Sequence, residues 1–146
     1  MAYAQPGARL ILHGRRHGVL ANLAERCRDK GAHVETSGVD LTDDTALAEW
    51  LAQVSTESLP DVVIFNAGQN AHPISTGYLE AQESAQALID INLSVPMAMA
   101  QHLVPAMRTR GSGQLAFISS LAGWHGLPST PTYSATKAGI KAYGEA

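Results

Sequence analysis

The sequence of 146 residues contains one cysteine, Cys27, so no disulfide can close within it. That scarcity fits a reducing compartment. Cys27 lies on the stripe Leu20, Leu23, Ala24, Cys27, where a small buried hydrophobe is the expectation rather than a reactive thiol. An excess of either charge is also missing. Ten basic against thirteen acidic residues leave a net charge of −3, which gives no electrostatic case for nucleic acid or an anionic membrane as partner. No apolar run reads as long enough to span a bilayer, and the N-terminus carries no signal-peptide pattern, so a cytoplasmic location is expected. The six histidines are scattered. His13 and His17 are four apart but interrupted by Gly14, and with no thiolate cluster beside them no metal site is expected. Repeats and low-complexity tracts are absent too.

What is present is an alternation of strand-like and helix-like segments. Arg9–His13 is a short apolar run closed by Gly14, as a buried strand would be. A helix is expected over 18–30 with Gly31 as its stop, then a weaker strand from His33 to Val39 interrupted by Gly38. Thr42 is positioned to cap the next helix, whose apolar face is Leu47, Trp50, Leu51 and Val54. Asp61–Phe65 is the clearest strand. A long helix from about Glu80 to Arg108, a strand from Gln114 to Ile118 and a final helix from Thr132 onward complete the pattern. Such alternation predicts an α/β fold, a parallel sheet covered by helices. Ligands then bind at the carboxyl ends of the strands.

Three strand ends carry polar or small residues. Asn66-Ala67-Gly68 follows the third strand, where small side chains let a ligand approach the backbone, although an ordinary turn would read the same way. Ser119 and Ser120 end the fourth, and serines there are often only turn formers. Arg15 and Arg16 follow the first, with no carboxylate between them; solvated surface arginines are the plain alternative.

Two helices add chemistry. Asn92 falls within the apolar face Leu88, Ile89, Leu93, Met97, Ala100, Leu103, where a side-chain amide needs a specific partner. Pro96, four residues later, has no N–H, so the Asn92 carbonyl loses its ordinary helical donor. A proline kink beside a satisfied core asparagine would explain the same residues. In Tyr133-Ser134-Ala135-Thr136-Lys137, helical spacing puts Tyr133 and Lys137 on one face. A free phenol ionises near pH ~10, and a fixed ammonium beside it favours the phenolate. Taken alone, the pair also reads as two exposed side chains.

Together, in this order, these motifs resemble the short-chain dehydrogenase/reductase family over nearly the whole chain. The resemblance implies a Rossmann-like, doubly wound parallel sheet in three α/β/α layers, with 1–146 forming a single partial NAD(P)-binding domain. It implies a catalytic tetrad of Asn92, Ser120, Tyr133 and Lys137, Ser120 being preferred to Ser119 by its spacing to the tyrosine. It places Asn66, Ala67 and Gly68 beside the cofactor, with Asp40 and Leu41 near the adenine ring and Tyr133 and Lys137 near the nicotinamide end. Arg15 and Arg16 in place of an acid imply NADP rather than NAD. The implied reaction is hydride transfer between nicotinamide and a carbonyl or alcohol, in a homodimer or homotetramer. A non-catalytic dinucleotide-binding module and a sugar-nucleotide epimerase or dehydratase are the competing readings.

Departures accompany the likeness. The family's glycine-rich turn after its first strand is missing, and residues 1–8 resemble the end of the helix that follows that turn. The chain reads as an internal piece in which the first strand and the last strands are absent. The expected strand order, 3-2-1-4-5, then has a gap at its centre, and the piece alone is expected to be inactive.

Overall fold

The computed structural model describes residues 2–70 and 80–146. These residues form two compact units, the first running to Leu47 and the second from Ala48 onward.

The first unit opens with turns. Pro6 and Gly7, the latter at φ +82, prevent the helical ending expected over residues 1–8. Strand β1 (Arg9–His13) pairs in parallel with β2 (His33–Ser37), from Arg9 opposite His33 to His13 opposite Ser37. Between them runs α1 (His17–Arg28), which buries Leu20, Ala24 and Cys27. The burial of Cys27 follows from the stripe that contains it. Gly31, at φ +87, reverses the chain after the helix, and its N–H reaches the Arg28 carbonyl at 2.8 Å.

Helix α2 (Asp44–Ser58) starts after the unit's last loop. Its cap is Asp43 and not Thr42. Asp43 Oδ1 accepts from the N–H groups of Thr45 and Ala46, both at 3.0 Å, while the Thr42 hydroxyl donates to Asp40 Oδ1 at 2.7 Å. A hydroxyl held by Asp40 cannot turn toward the helix.

In the second unit β3 (Val62–Phe65) pairs in parallel with β4 (Gln114–Phe117). Phe65 and Phe117 are register partners whose rings stack at 4.6 Å, and Tyr143 meets Phe117 edge-on. Arg110 ties the entry to this strand pair, donating to the carbonyls of Leu59, Pro60 and Ser112. Among the described residues β1 has only β2 as sheet neighbour and β3 only β4, which makes two separate two-stranded sheets. Val62 and Ile64 of β3 are accordingly exposed, at 38% and 45%.

The expected single helix over 80–108 is three segments. These are α3 (Gln82–Ile89), a π-helical turn at Asp90–Ser94, and α4 (Val95–Arg110). The Val95 N–H bonds the Asp90 carbonyl, five residues back, and α4 restarts with Pro96 in its first turn, where a missing N–H is tolerated. By length and composition the whole path Gln82–Arg110 is apolar enough to cross a membrane, contrary to the expectation from sequence. The core helix of a soluble protein passes the same test, and Leu88, Met99, Ala100, Leu103 and Met107 are buried within this unit. The last helix, α5 (Pro131–Glu145), packs on α3, the π turn, α4 and β4.

Candidate functional site

Each unit holds part of the predicted set. In the second, Asn92 sits on the π turn and is 2% exposed. Its amide does not wait for a ligand. Oδ1 accepts from the Gln69 N–H at 2.8 Å, and Nδ2 donates to the Gln69 carbonyl at 2.9 Å. A pair of bonds of this kind fixes the chain leaving β3 as a neighbouring strand would. Nδ2 also reaches Thr136 Oγ1 at 3.3 Å, and that hydroxyl donates to the Tyr133 carbonyl at 2.8 Å. The exit of β3, the π turn and the first turns of α5 are thus joined by one chain of hydrogen bonds, buried where Asn92 meets Thr136.

Asn66, Ala67 and Gly68 are exposed at that exit. A Cβ on Gly68 would lie 2.8 Å from Asn92 Oδ1 and 3.7 Å from Lys137 Nζ, so this loop, Asn92 and Lys137 meet at Gly68. Only glycine lets the backbone come so close. Lys137 is buried, and Nζ donates to the Ile118 carbonyl at 2.9 Å at the end of β4. The ammonium lies 5.9 Å from the centre of the half-buried Tyr133 ring.

The two serines divide their work. Ser119 donates its hydroxyl proton to the Lys137 carbonyl at 2.7 Å, which pins the chain after β4 to α5. Ser120 caps the short 3₁₀ turn Leu121–Gly123, its Oγ accepting from the Ala122 N–H at 3.2 Å. A hydroxyl that only accepts keeps its own proton to donate. Gly123 lies against the same anchor; a Cβ there would fall 2.6 Å from Ser119 Oγ and 2.7 Å from the Lys137 carbonyl oxygen.

In the first unit Arg15 and Arg16 are exposed on the loop from β1 to α1, and Asp40 is exposed beyond β2. Leu41 beside it is buried, at 5% exposure. The Thr42 N–H and hydroxyl bond Asp40 Oδ1 at 3.0 and 2.7 Å. Those bonds, followed by the charges of Arg15 and His13, hold the Asp40 carboxyl below its usual value. His13 is itself anchored, with Nε2 2.7 Å from the Val39 carbonyl.

Gln69, Thr136 and Ser119 belong to this framework. Sequence reading set Ser119 aside for Ser120 and gave Gln69 and Thr136 no supporting role, because the bonds that matter, to Asn92 and Lys137, join residues far apart in the chain. Among the described residues no group of three or more His, Cys, Asp or Glu is placed to hold a metal.

Comparison with known proteins adds a family. A family model described as short chain dehydrogenase matches residues 1–146. An uncharacterized oxidoreductase from Staphylococcus saprophyticus is 33% identical over 141 residues, which is 94% of this chain and 58% of that protein. A short-chain dehydrogenase from Sphingobium yanoikuyae, solved in complex with NADPH, superposes with a TM-score of 0.86 at 27% identity, covering 99% of this chain and 56% of that one. A bulky-bulky ketone specific alcohol dehydrogenase from Comamonas testosteroni superposes at 0.87 with 23% identity, a likeness of fold, over 57% of its length. The chain therefore spans less than three fifths of these relatives.

Proposed function

This chain belongs to the short chain dehydrogenase family, and from that premise we propose that it carries the proton-transferring and dinucleotide-binding parts of an NADP-dependent oxidoreductase acting on carbonyl or alcohol substrates. The observation that supports this most is the convergence of the Asn66–Gly68 loop, Asn92 and Lys137 at Gly68, with Tyr133 one helical turn before the lysine. Both units would be parts of one cofactor domain in a soluble, cytoplasmic homodimer or homotetramer.

The residues present fit a dinucleotide. Gly68 leaves open the space a Cβ would fill beside Lys137 Nζ. Lys137 spends one N–H on Ile118 and has two more for ribose hydroxyls. Asp40 and Leu41 would flank the adenine, and Arg15 would pair with a 2′-phosphate, helped by Arg16. When bound, the nicotinamide supplies the hydride, a proton and two electrons delivered to the carbonyl carbon.

The chain's own residues handle the remaining proton. Tyr133 donates its phenolic proton to the carbonyl oxygen, which becomes the alcohol, and recovers a proton from solvent. Ser120 donates a hydrogen bond to the same oxygen as negative charge develops on it. Lys137 places its ammonium beside the phenol and favours negative charge there. The Asn92 side chain holds the Gln69 peptide, and its carbonyl, deprived of a helical donor by Pro96, accepts from a water that leads from Lys137 to solvent.

The test is turnover of the full-length reading frame with NADPH and a panel of ketones and aldehydes, run beside a panel of sugar nucleotides. Consumption of NADPH with a carbonyl substrate is expected. Conversion of a sugar nucleotide without net cofactor consumption would favour an epimerase instead. Tighter binding of NADH than NADPH would overturn the cofactor assignment.

A further inference from the structure

Glu80 is a buried acid, 9% exposed, that belongs to none of the motifs above. It stands two residues before α3, yet its carboxylate serves another helix. Glu80 Oε1 accepts from the Thr132 N–H at 3.1 Å and from the Tyr133 N–H at 3.2 Å. These are the first backbone donors of α5, because Pro131, its first residue, has none. The residue in the cap position, Thr130, carries a hydroxyl of the kind that ordinarily caps a helix. It makes no cap bond, and Thr130 Oγ1 is buried without a partner among the described residues. A local cap is thus present and unused, while an acid 52 residues away in sequence performs the task. Negative charge at this end of a helix is favourable, and only such bonding makes a buried carboxylate tolerable.

Both bonds end on the first turn of α5, one of them on the peptide of Tyr133 itself. Lys137 lies a turn deeper and is held separately by Ile118 and through its own carbonyl by Ser119. From this geometry we infer that Glu80 is a positioning residue for Tyr133, fixing the peptide from which the phenol projects without touching the lysine or the dinucleotide. This rests on the reading of Tyr133 as proton donor. Loss of Glu80 then slackens the tyrosine and leaves cofactor affinity in place, a separation that general loss of stability would not produce.

Two variants test it. Glu80→Gln keeps an oxygen of the same reach and removes the charge; Glu80→Ala removes the acceptor. In the 146-residue chain, amide hydrogen exchange at Tyr133 should quicken roughly fivefold or more in Glu80→Ala, as for a lost cap, and stay closer to the parent in Glu80→Gln. In the full-length reading frame, Glu80→Ala should lower kcat by roughly tenfold at unchanged NADPH dissociation constant, with Glu80→Gln recovering most of the loss. Unchanged exchange at Tyr133, or a kcat in Glu80→Ala equal to the parent's, overturns the inference. A parent protein without carbonyl turnover would instead sink the functional reading, and the exchange measurement would still decide whether Glu80 holds Tyr133.

Discussion

Around Lys137 in the second unit, polar side chains are buried (Asn92, Thr136) or half-buried (Ser119) and committed to backbone partners: Asn92 to Gln69, Ser119 to Lys137, Thr136 to Tyr133. Around Asp40 in the first, the charged groups Arg15, Arg16 and Asp40 stand exposed on loops. The first arrangement secures geometry, since moving a buried member such as Asn92 or Thr136 leaves a buried polar atom unsatisfied. The second offers exposed charge that is screened by salt, with Asp40 alone tied down by Thr42. Proton transfer depends on position within fractions of an ångström, whereas holding a phosphate depends mainly on charge. Under the function proposed above, the two units would differ in the way those two tasks differ.

Lys137→Met attacks the contrast where it is sharpest. In the full-length reading frame it should reduce kcat on the order of 10²-fold, measured as NADPH oxidation with a carbonyl substrate. A loss below about threefold would mean that the buried ammonium is structural.

Gly123→Ala probes whether the geometry is as tight as the distances imply. The new methyl would meet Ser119 Oγ and the Lys137 carbonyl inside 3 Å. It should destabilise the second unit by about 1–3 kcal/mol in denaturant titration. Gly18→Ala in the first unit, where nothing lies within 4 Å, should be neutral or slightly stabilising. Equal effects at the two glycines would erase the distinction.

Arg15→Glu tests the other side. The ratio of NADPH to NADH affinity should fall by roughly tenfold or more, and the parent's preference should weaken with added salt. A ratio unchanged by the substitution or by salt would remove Arg15 from cofactor recognition.

The smallest effect is a pH dependence. Burial pushes the Glu80 carboxyl up, but bonds from its own backbone and from Tyr133 and Thr132 outweigh it and leave the carboxyl below 4.5. A depressed carboxyl stabilises the fold fully above the unfolded value and loses that contribution as pH falls through the folded one. The gain, on the order of 1 kcal/mol as for other helix caps, should therefore be intact above about pH 4.5 and decline below it. Glu80→Gln should flatten that part of the stability profile.

The parts legible from sequence were those whose partners are local. Tyr133 and Lys137 share a helical face by spacing alone, and Pro96 marked a disturbed helix beside Asn92. That the disturbance is a π turn could not be read, because a bond to the fifth residue back differs from one to the fourth only through tertiary packing. Thr42 was the expected cap, and the expectation failed because Asp40 claims the Thr42 hydroxyl and leaves the capping to Asp43. Glu80 carried no local signal, since its partners lie more than fifty residues away. The pairing among the described residues, β1 with β2 and β3 with β4, joins strands separated by a helix or more, so no local pattern fixes it.

The most direct test of the account is the Tyr133→Phe variant of the full-length protein. It keeps the ring and removes only the phenolic hydroxyl. Turnover of a carbonyl substrate should fall on the order of 10²-fold or more, as for a lost general acid, while NADPH binds as before. A variant that retains most of its turnover would take the proton from elsewhere, and the chemistry assigned to the second unit would be contradicted.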